Sequence, residues 1–362
     1  MTSCPTSALR RLRAWALVIP ALIAAVALSP PTARASSDPN VGISQGYDVF
    51  LLSDQDLERE LDIYSSLRVK WLRVDLNWAA IEQTPGRYDW SGPDRIVAAA
   101  HRHGLRVLAV PAHSPLWATR VPGESKAPPK HLSAFTRFLK AAVKRYGPTG
   151  VRHWEIWNEP NLEVFWYPAP QPRLYARMLI KAARSIRRAD PTAKIIAGNL
   201  GPALDVAGGK DVSPSRFTAL LYKYGADRSF DAISVHPYCF PALPSTPNTG
   251  DWNAFQRLPL VRRVMVRHAD ASKKIWLTEF GAPTGTSEKS VSERRQARTY
   301  VQGIRGQKRW RWVGPLFFYS GRDRGVDPSK WSENLGFLRV DFTPKLAAYT
   351  LEGLLKPKPR RR

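Results

Sequence analysis

Short apolar runs alternate with longer amphipathic segments along most of the chain. Eight of the runs have the length and composition of buried β-strands, and the segments between them repeat apolar residues at helical spacing. The predicted strands lie at residues 41–43, 69–74, 105–110, 152–157, 194–198, 230–235, 274–278 and 314–319. The predicted helices lie at residues 54–67, 93–103, 131–146, 172–189, 213–225, 256–270, 292–308 and 343–355.

Eight strand–helix units in series predict an α/β fold, a single-domain (β/α)8 TIM barrel over residues 36–355. A doubly wound sheet is the alternative, and the count of eight favours closure into a barrel. The links that follow strands are long and rich in Pro, Gly and aromatic residues, whereas the links that follow helices are short. Since the long links meet at the C-terminal face of a barrel, we expect the functional site on that face.

The first 35 residues have the pattern of a secretory signal peptide. Three arginines precede an apolar run at residues 14–28, and the small-residue pattern Ala33-Arg34-Ala35 follows it. The run is shorter than the roughly 20 residues of a membrane span, which disfavours the alternative of an uncleaved anchor. We therefore expect cleavage after Ala35, a secreted, extracellular protein and no stable membrane span.

The chain is strongly basic, with 55 Lys and Arg against 30 Asp and Glu and a formal charge of +25. This charge favours contact with anionic cell-wall polymers, and residues 356–362 form a basic tail that we expect to be disordered. The chain has no element that reads nucleic-acid bases, no metal-binding motif and no Gly-rich phosphate loop after a strand. We expect a monomer without a metal or other cofactor.

Two glutamates follow predicted strands on opposite sides of the barrel. Glu159 comes directly after strand four and Glu279 directly after strand seven. Two facing carboxyl groups are what hydrolysis of a glycosidic bond needs, because one protonates the leaving oxygen and the other attacks or activates water. Asn158, beside the first glutamate, could bind a sugar hydroxyl. The alternative, a pair of ordinary surface carboxylates, leaves this placement unexplained.

Three stretches carry a more specific pattern: Trp157-Asn158-Glu159-Pro160-Asn161, Arg73-Val74-Asp75-Leu76-Asn77-Trp78 and Glu82-Gln83-Thr84-Pro85-Gly86-Arg87-Tyr88-Asp89-Trp90. Together with Glu279 and with His236-Pro237-Tyr238 after strand six, they give the chain a resemblance over residues 41–355 to glycoside hydrolase clan A. These are retaining glycosidases whose catalytic glutamates follow strands four and seven, and families 39 and 5 are the most similar.

The resemblance implies a role for each matching residue. Glu159 resembles the general acid/base, Glu279 the nucleophile, Asn158 the ligand of the sugar 2-hydroxyl, Arg73 and Tyr238 the pair that orients the nucleophile, and His236 a supporting or sugar-contacting histidine. We expect Arg73 and Tyr238 to lower the pKa of Glu279. We expect an apolar setting, with Trp157 and Trp166, to raise the pKa of Glu159. Glu155, inside strand four, is predicted to be a buried, paired structural carboxylate.

Other residues on the same face are weaker candidates. His113 could contact sugar or cap its loop, and Trp331 is the best candidate for a sugar-stacking platform, ahead of Trp78, Trp117 and Trp166. After strand eight, Arg322, Asp323, Arg324 and Asp327 could form a charged wall that suits an acidic or amino sugar. The resemblance departs at strand eight, where the clan often has Trp and this chain ends the strand with Phe317-Phe318-Tyr319.

These features predict a secreted retaining glycoside hydrolase that cleaves β-glycosidic bonds of a polysaccharide or oligosaccharide by double displacement. Transglycosylation would use the same residues, so the sequence leaves it open. The alternative function is a non-catalytic carbohydrate- or cell-wall-binding protein built on a glycosidase barrel, which the basic charge would suit.

Overall fold

Eight parallel strands close into a barrel in chain order, with β8 paired back to β1. The computed structural model describes residues 40–356, so the predicted signal peptide and residues 357–362 of the basic tail lie outside the described residues. The strands are β1 (Val41–Ser44), β2 (Trp71–Asn77), β3 (Arg106–Ala112), β4 (His153–Glu155), β5 (Lys194–Leu200), β6 (Ala232–Val235), β7 (Lys274–Phe280) and β8 (Val313–Phe318).

Helices cover the outside of the barrel. They are α1 (Asp54–Ser66), α2 (Trp78–Ile81), α3 (Ser91–Arg102), α4 (Leu132–Tyr146), α5 (Pro172–Ala189), α6 (Pro214–Lys223), α7 (Ala254–Arg267), α8 (Glu293–Arg309) and α9 (Leu346–Leu355). The predicted (β/α)8 TIM barrel is therefore confirmed. Among residues 40–356, no helix is both long and apolar enough to cross a membrane.

Helix α5 illustrates how the sequence determines these elements. Pro172 occupies its first turn, where a missing N–H costs nothing. Tyr175, Leu179 and Ile186 recur at helical spacing and are buried against the barrel. The helix ends at Ala189, before Pro191, because a proline cannot continue it.

The inside of the barrel is filled in layers. Six residues form an apolar layer near the N-terminal ends of the strands: Trp71, Leu108, Ile196, Ala232, Trp276 and Phe317. Arg73 lies two residues beyond Trp71 on β2, so it faces the same interior one layer closer to the C-terminal end. The barrel thus has an apolar lower layer and a charged upper layer.

Strand four is shorter than predicted. It ends at Glu155 rather than at residue 157, because Trp157 has a φ of 72° that no extended strand allows. Strand two, in contrast, continues three residues beyond its prediction to Asn77. Both differences lie at the C-terminal ends of strands, where the candidate site is located.

Candidate active site

Arg73 is the centre of the charged layer. It is 2% exposed, and its guanidinium donates to Glu155 Oε2 at 2.6 Å, Glu279 Oε1 at 2.8 Å, Asn158 Oδ1 at 2.9 Å and Ser44 Oγ at 3.2 Å. Burial lowers the pKa of Arg73, but the neighbouring carboxylates outweigh burial and raise the pKa, so the side chain stays charged. One cation therefore organises residues from strands one, two, four and seven.

Glu155 is the structural carboxylate that the sequence predicts. It is fully buried and ion-paired with Arg73. Burial alone would raise the pKa of Glu155, yet Arg73, His236 and Ser234 keep it below its ordinary value. Glu155 thus stays charged and holds Arg73 in place beneath the two glutamates.

Glu279 lies near the end of β7 with both carboxylate oxygens occupied. Oε1 accepts from Arg73, and Oε2 accepts from the Tyr238 hydroxyl at 2.9 Å. The side chain is 14% exposed, so it remains open to the mouth of the barrel. Two fixed donors orient the carboxylate as a nucleophile requires, as predicted for Arg73 and Tyr238.

Glu159 is held in a drier setting. It is 7% exposed, and its Oε1 lies 2.7 Å from His236 Nδ1. Burial raises the pKa of Glu159 to about 8, the charge of Asp211 adds to this, and Arg73 opposes it. A carboxyl group that keeps its proton near neutral pH is suited to be a general acid.

His236 links the two glutamates. Its Nδ1 lies 2.7 Å from Glu159 Oε1 and 3.6 Å from Glu279 Oε2. Because both contacts meet at one nitrogen, these two oxygens lie close together across the mouth. Retaining enzymes have a spacing of about 5–5.5 Å, which the geometry permits.

The pKa of Glu279 differs from the prediction. Burial raises it above the ordinary value, although His236, Arg73 and Tyr238 all act against burial. The expectation of a lowered pKa is therefore wrong in direction, because the depth of the site outweighs two donors. The proton of the pair still belongs on Glu159, since Glu279 alone accepts from a guanidinium and a phenol.

Asn158 is oriented by the same cation. Because Arg73 Nη2 donates to Asn158 Oδ1, the amide nitrogen is directed elsewhere and can donate to another acceptor. The half-buried side chain lies beside Glu159, where a bound sugar would present a hydroxyl. This position agrees with the predicted role without testing it.

The turn that carries Glu159 is strained. Trp157 and Glu159 both have positive φ, at 72° and 41°. Asn199, at the end of β5, holds both residues, since its Nδ2 donates to Trp157 O and its Oδ1 accepts from Glu159 N–H at 2.9 Å. Asn199 is not among the predicted site residues, because the predicted strand five ends at Gly198. Its place directly after that strand, on the face where the site is expected, could have identified it.

Gly201 also positions the acid. A Cβ at this residue would lie 2.7 Å from Glu159 Oε1 and 2.5 Å from Leu162 Cδ1, so a larger residue would displace these two side chains. Asn161 fixes the same place, donating to Gly201 O and accepting from Gly201 N–H. These contacts join the loops after β4 and β5, and no sequence motif revealed them.

Trp331 joins the site through a chain of aromatic rings. Its ring lies 5.5 Å from that of Phe240, which lies 5.6 Å from that of Tyr238. The half-buried Trp331 also has the Lys289 ammonium 4.8 Å from its ring centroid. This connection to the Tyr238 that holds Glu279 agrees with a sugar platform, and the role stays a prediction.

The other tryptophans divide into packing and rim residues. Trp78 and Trp166 are fully buried, so neither can stack on a sugar ring. Trp166 packs edge-on against Trp157 at 5.5 Å, and Trp78 packs with Phe138. Trp117 is half-buried and donates to the Glu82 carbonyl. Of these three candidates, only Trp117 is accessible.

The predicted charged wall after β8 is only partly present. Arg322 donates to the buried Glu60 at 2.9 Å, and Asp323 forms a buried ion pair with Lys345 at 2.7 Å. Both are structural, which corrects the prediction, because each charge is already neutralised inside the fold. Arg324 remains near the mouth, where it pairs with Asp48 and donates to the Tyr319 hydroxyl at 3.3 Å.

Asp75 adds a third carboxylate to the mouth. It follows Arg73 by two residues on β2, lies 3.8 Å from Arg73 Nη1 and is 28% exposed. Burial lowers the pKa of His113, and the negative charge of Asp75 opposes this effect. Burial raises the pKa of Tyr319, and the same charge adds to it. The ring of His113 lies 6.4 Å from that of Trp157. The predicted roles of His113, contact with sugar or capping of its loop, stay predictions.

Six of the predicted site residues thus come together in two hydrogen-bonded sets. Arg73, Asn158, Tyr238 and Glu279 form the first set and Glu159 and His236 the second, and His236 Nδ1 lies 3.6 Å from Glu279 Oε2. Among residues 40–356, no cluster of three His, Cys, Asp or Glu is placed to hold a metal ion. The group combines a proton donor, an oriented carboxylate and an amide donor.

Comparison with known proteins agrees with this chemistry. Residues 127–264 match the model of glycosyl hydrolases family 39. This segment contains Asn158, Glu159, His236 and Tyr238. The resemblance to family 39 glycoside hydrolases is confirmed. A β-xylosidase of Geobacillus stearothermophilus is 36% identical over 119 residues, which are 31% of this chain and 21% of that enzyme.

Solved structures of a family 39 glycoside hydrolase and of a β-xylosidase share the fold. An enzyme from Bacteroides cellulosilyticus WH2 has a TM-score of 0.70 at 22% identity, covering 88% of this chain and 64% of its own. A monomeric β-xylosidase from Caulobacter crescentus CB15 has a TM-score of 0.67 at 17% identity, covering 87% of this chain and 67% of its own. The chain therefore spans about a fifth of the curated relative and under two thirds of the Bacteroides enzyme.

Proposed function

We propose that this chain is a retaining β-glycosidase that hydrolyses glycosidic bonds by double displacement. The observation that carries the proposal is that two carboxyl groups face one histidine nitrogen but have different hydrogen-bond partners. Burial raises the pKa of both groups, to about 8 for Glu159, but Glu279 also accepts hydrogen bonds from Arg73 and Tyr238. The match of residues 127–264, which include Glu159, to the family 39 model supports the same reaction class.

In the first step, Glu159 donates its proton to the glycosidic oxygen as the bond to the anomeric carbon breaks. A Glu279 oxygen attacks that carbon from the opposite face and forms a glycosyl ester. Arg73 and Tyr238 keep the attacking carboxylate in line, while Asn158 donates to the hydroxyl beside the reacting carbon. The leaving alcohol departs with the proton.

In the second step, Glu159 is an anion and accepts a proton from water. The water oxygen bonds to the anomeric carbon, and Glu279 leaves as a carboxylate. Formation of the ester removes the charge of Glu279, which otherwise raises the proton affinity of its neighbour. Glu159 can therefore serve as acid first and base second. The second inversion restores the original anomeric configuration.

Two variants test the assignment with aryl β-glycosides. Glu279→Ala should lower kcat by about 10⁴-fold or more for every leaving group, because the ester cannot form. Glu159→Ala should lower kcat/KM about 10²–10⁴-fold for a poor leaving group and much less for dinitrophenolate, which needs no proton. Azide should rescue the second variant and give a β-glycosyl azide, whereas any azide product formed by Glu279→Ala should have the α configuration, because it arises from a single inversion.

Three results would refute the proposal. They are wild-type turnover by Glu279→Ala, inversion of the anomeric centre in the product by NMR, and binding of glycans without any turnover across a panel of β-glycosides. The last result would favour the alternative, a non-catalytic carbohydrate-binding protein on the same barrel.

For the sugar bound at the catalytic centre, we propose an uncharged glycone, with β-xylosides as the first probe. One relative with 36% identity is a β-xylosidase. The mouth contains Asp75 and Glu279 beside the buried cation Arg73, which already bonds Glu155. A uronic acid would add another negative charge to this group, and like charges in a partly buried site repel strongly.

Replacing Asp75 tests this preference. Asp75→Asn keeps the shape and removes the charge, so the ratio of kcat/KM for a β-glucuronide to that for the β-xyloside should rise about tenfold, or about 1.4 kcal/mol. Asp62→Asn, on the outer helix α1, is the control and should leave the ratio unchanged. An unchanged ratio in the Asp75 variant would remove Asp75 from the specificity argument.

Export is part of the same proposal. We propose that residues 1–35 direct secretion and are removed, as their charge and apolar pattern indicate. The mass of the protein recovered outside a producing cell should then correspond to a chain that begins at Ser36. A mass that includes Met1 to Ala35 would contradict cleavage.

A further inference from the structure

A basic groove runs between α4 and α5 on the outside of the barrel. It has a volume of about 530 Å³ and is lined by Lys140, Lys144, Lys181, Arg184 and Arg188. All five side chains are exposed. These five residues and the space between them form the α4–α5 groove.

The spacing along both helices places these cations in two facing rows. Lys140 and Lys144 are four residues apart on α4, and Lys181, Arg184 and Arg188 follow intervals of three and four on α5. Such intervals lie on one helix face, at a rise of roughly 6 Å per four residues. The Ser185 hydroxyl donates to Thr136 O at 2.9 Å and fixes the two helices side by side.

The groove has no compensating negative charge of its own. Helices α4 and α5 together contain ten Lys and Arg and no Asp or Glu. Within residues 40–356, none of the five lining cations is ion-paired, whereas their neighbours Arg145 and Arg187 pair with Asp94 and Asp231. Like charges at this spacing repel, so a bound polyanion would stabilise the arrangement.

A second groove provides an internal comparison. The groove between α7 and α8 has a similar volume of about 490 Å³, but only Arg305 and Arg309 contribute charge to it. Phe255 and Trp310 line it as well. A high net charge of the whole chain therefore does not by itself produce five cations around one groove.

We propose that the α4–α5 groove binds a linear acidic polysaccharide. No aromatic ring lines the groove, and stacking on aromatic rings is how proteins hold nucleic-acid bases without reading their sequence. Eight of its nine lining residues are polar or charged, whereas a membrane-surface site needs a face of exposed apolar residues to insert. Two rows of cations instead suit a narrow chain with a carboxylate on successive sugars.

The position of the groove separates it from the catalytic mouth. Lys140, Lys144, Arg184 and Arg188 lie in the second halves of their helices, which run from the C-terminal face of the barrel towards the opposite face. A polymer bound there leaves the mouth open. The α4–α5 groove would retain the protein on an anionic matrix while the catalytic site cleaves another glycan.

The test compares two charge reversals in the full chain. Lys140→Glu with Arg184→Glu alters the α4–α5 groove, and Arg305→Glu with Arg309→Glu is the matched control. Both change the net charge equally and both keep the basic residues 356–362. Affinity for polygalacturonate at low salt should fall about tenfold or more in the first variant and much less in the second, because only the first removes clustered cations.

Three outcomes would overturn the proposal. They are equal losses in the two variants, no binding of polygalacturonate by the wild-type chain, and a loss of DNA or anionic-vesicle binding in the groove variant that exceeds its loss of polygalacturonate binding. The first would indicate diffuse charge, and the third another class of partner.

Folding and function need separate controls. Hydrolysis of a small aryl glycoside should be unchanged in both variants, since neither groove contributes to the catalytic group, and a cooperative thermal transition should show that each variant folds. If charge reversal prevents folding, Lys140→Gln with Arg184→Gln and Arg305→Gln with Arg309→Gln replace the two pairs. The binding assay needs no turnover, so a failure of the proposed glycosidase activity would leave this inference standing.

Discussion

At the residue scale, the site depends on one guanidinium that serves several acceptors at once. Arg73 donates to Glu155 through Nε, to Glu279 through Nη1 and to Asn158 through Nη2. The planar fork of arginine makes this possible, and the single ammonium of lysine could not reproduce it. The orientation of the Glu279 carboxylate, the proposed nucleophile, and that of the Asn158 amide are therefore coupled through one side chain.

The pKa of Glu159 leads to a prediction about pH. Because the acid has a pKa of about 8, kcat/KM should fall as pH rises through that value and Glu159 loses its proton. Asp211→Asn removes a negative charge that helps to raise this pKa, so the alkaline limb should move to lower pH. Rates across pH 5–10 measure the shift, with Asp62→Asn as the control.

The same group affects stability with a definite sign. Its pKa is higher in the folded state than the ordinary value of 4.5, so folding is favoured most at low pH and this contribution is lost as pH rises towards 8. Glu159→Gln should reduce that loss between pH 5 and 8.

For the pH dependence of activity, an alkaline limb of kcat/KM that does not move in Asp211→Asn would contradict the assignment of Glu159.

At the element scale, the turns after β4 and β5 act as one unit. Asn199 holds the backbone of Trp157 and Glu159, and Asn161 holds the backbone of Gly201. Positive φ values at large residues are costly and persist only where neighbours enforce them. The position of the acid is thus determined by strand five as much as by the strand that carries it.

Gly201→Ala should separate positioning from folding. The added Cβ would meet the Glu159 carboxylate at 2.7 Å, so the acid must move, and kcat should fall about 10²-fold or more with a smaller change in KM. Gly353→Ala on α9, where no atom lies within 4 Å of the new Cβ, is the control. Dinitrophenyl glycosides should be affected less, and equal losses for all leaving groups would contradict the mechanism.

Regular elements were more predictable than their ends. Helix α5 lies at residues 172–189 as predicted, since its apolar spacing and flanking prolines are local signals. The end of β4 was not predictable, because the φ of Trp157 depends on Asn199, about forty residues later. Local patterns locate a strand, and contacts between distant loops decide where it stops.

At the scale of the whole molecule, the two ends of the barrel have different tasks. The lower layer, which includes Trp71, Trp276 and Phe317, is apolar, and the upper layer holds the charges around Arg73. Barrels of this kind place stability at the N-terminal end and chemistry at the C-terminal end. Substitutions in the two layers should therefore affect different measurements.

Phe317→Ala tests this division. The ring is fully buried in the lower layer, so its loss should reduce the free energy of unfolding by about 3–5 kcal/mol through the cavity it leaves. At a temperature where the variant stays folded, kcat should change less than about threefold. Urea unfolding and steady-state rates measure the two effects, and a large loss of kcat without loss of stability would refute the separation.

The predictability of the site follows the same logic. Glu159 and Glu279 could be predicted because each ends a strand and because chemistry needs two facing carboxyl groups. Arg322 and Asp323 were assigned to the cleft wall, since the sequence does not reveal that Glu60 and Lys345 neutralise them. Partners that are far apart in the chain decide which charges remain available.

The buried pair of Asp323 and Lys345 has a consequence for the order of folding. Lys345 Nζ also donates to Thr284 Oγ1, at 2.8 Å, in the loop that follows the strand of the nucleophile. During synthesis, this loop has no cation to hold it until residue 345 has left the ribosome. The loop that contains Thr284 is therefore completed late, and a chain truncated before Lys345 would leave the buried Asp323 carboxylate without its ion pair.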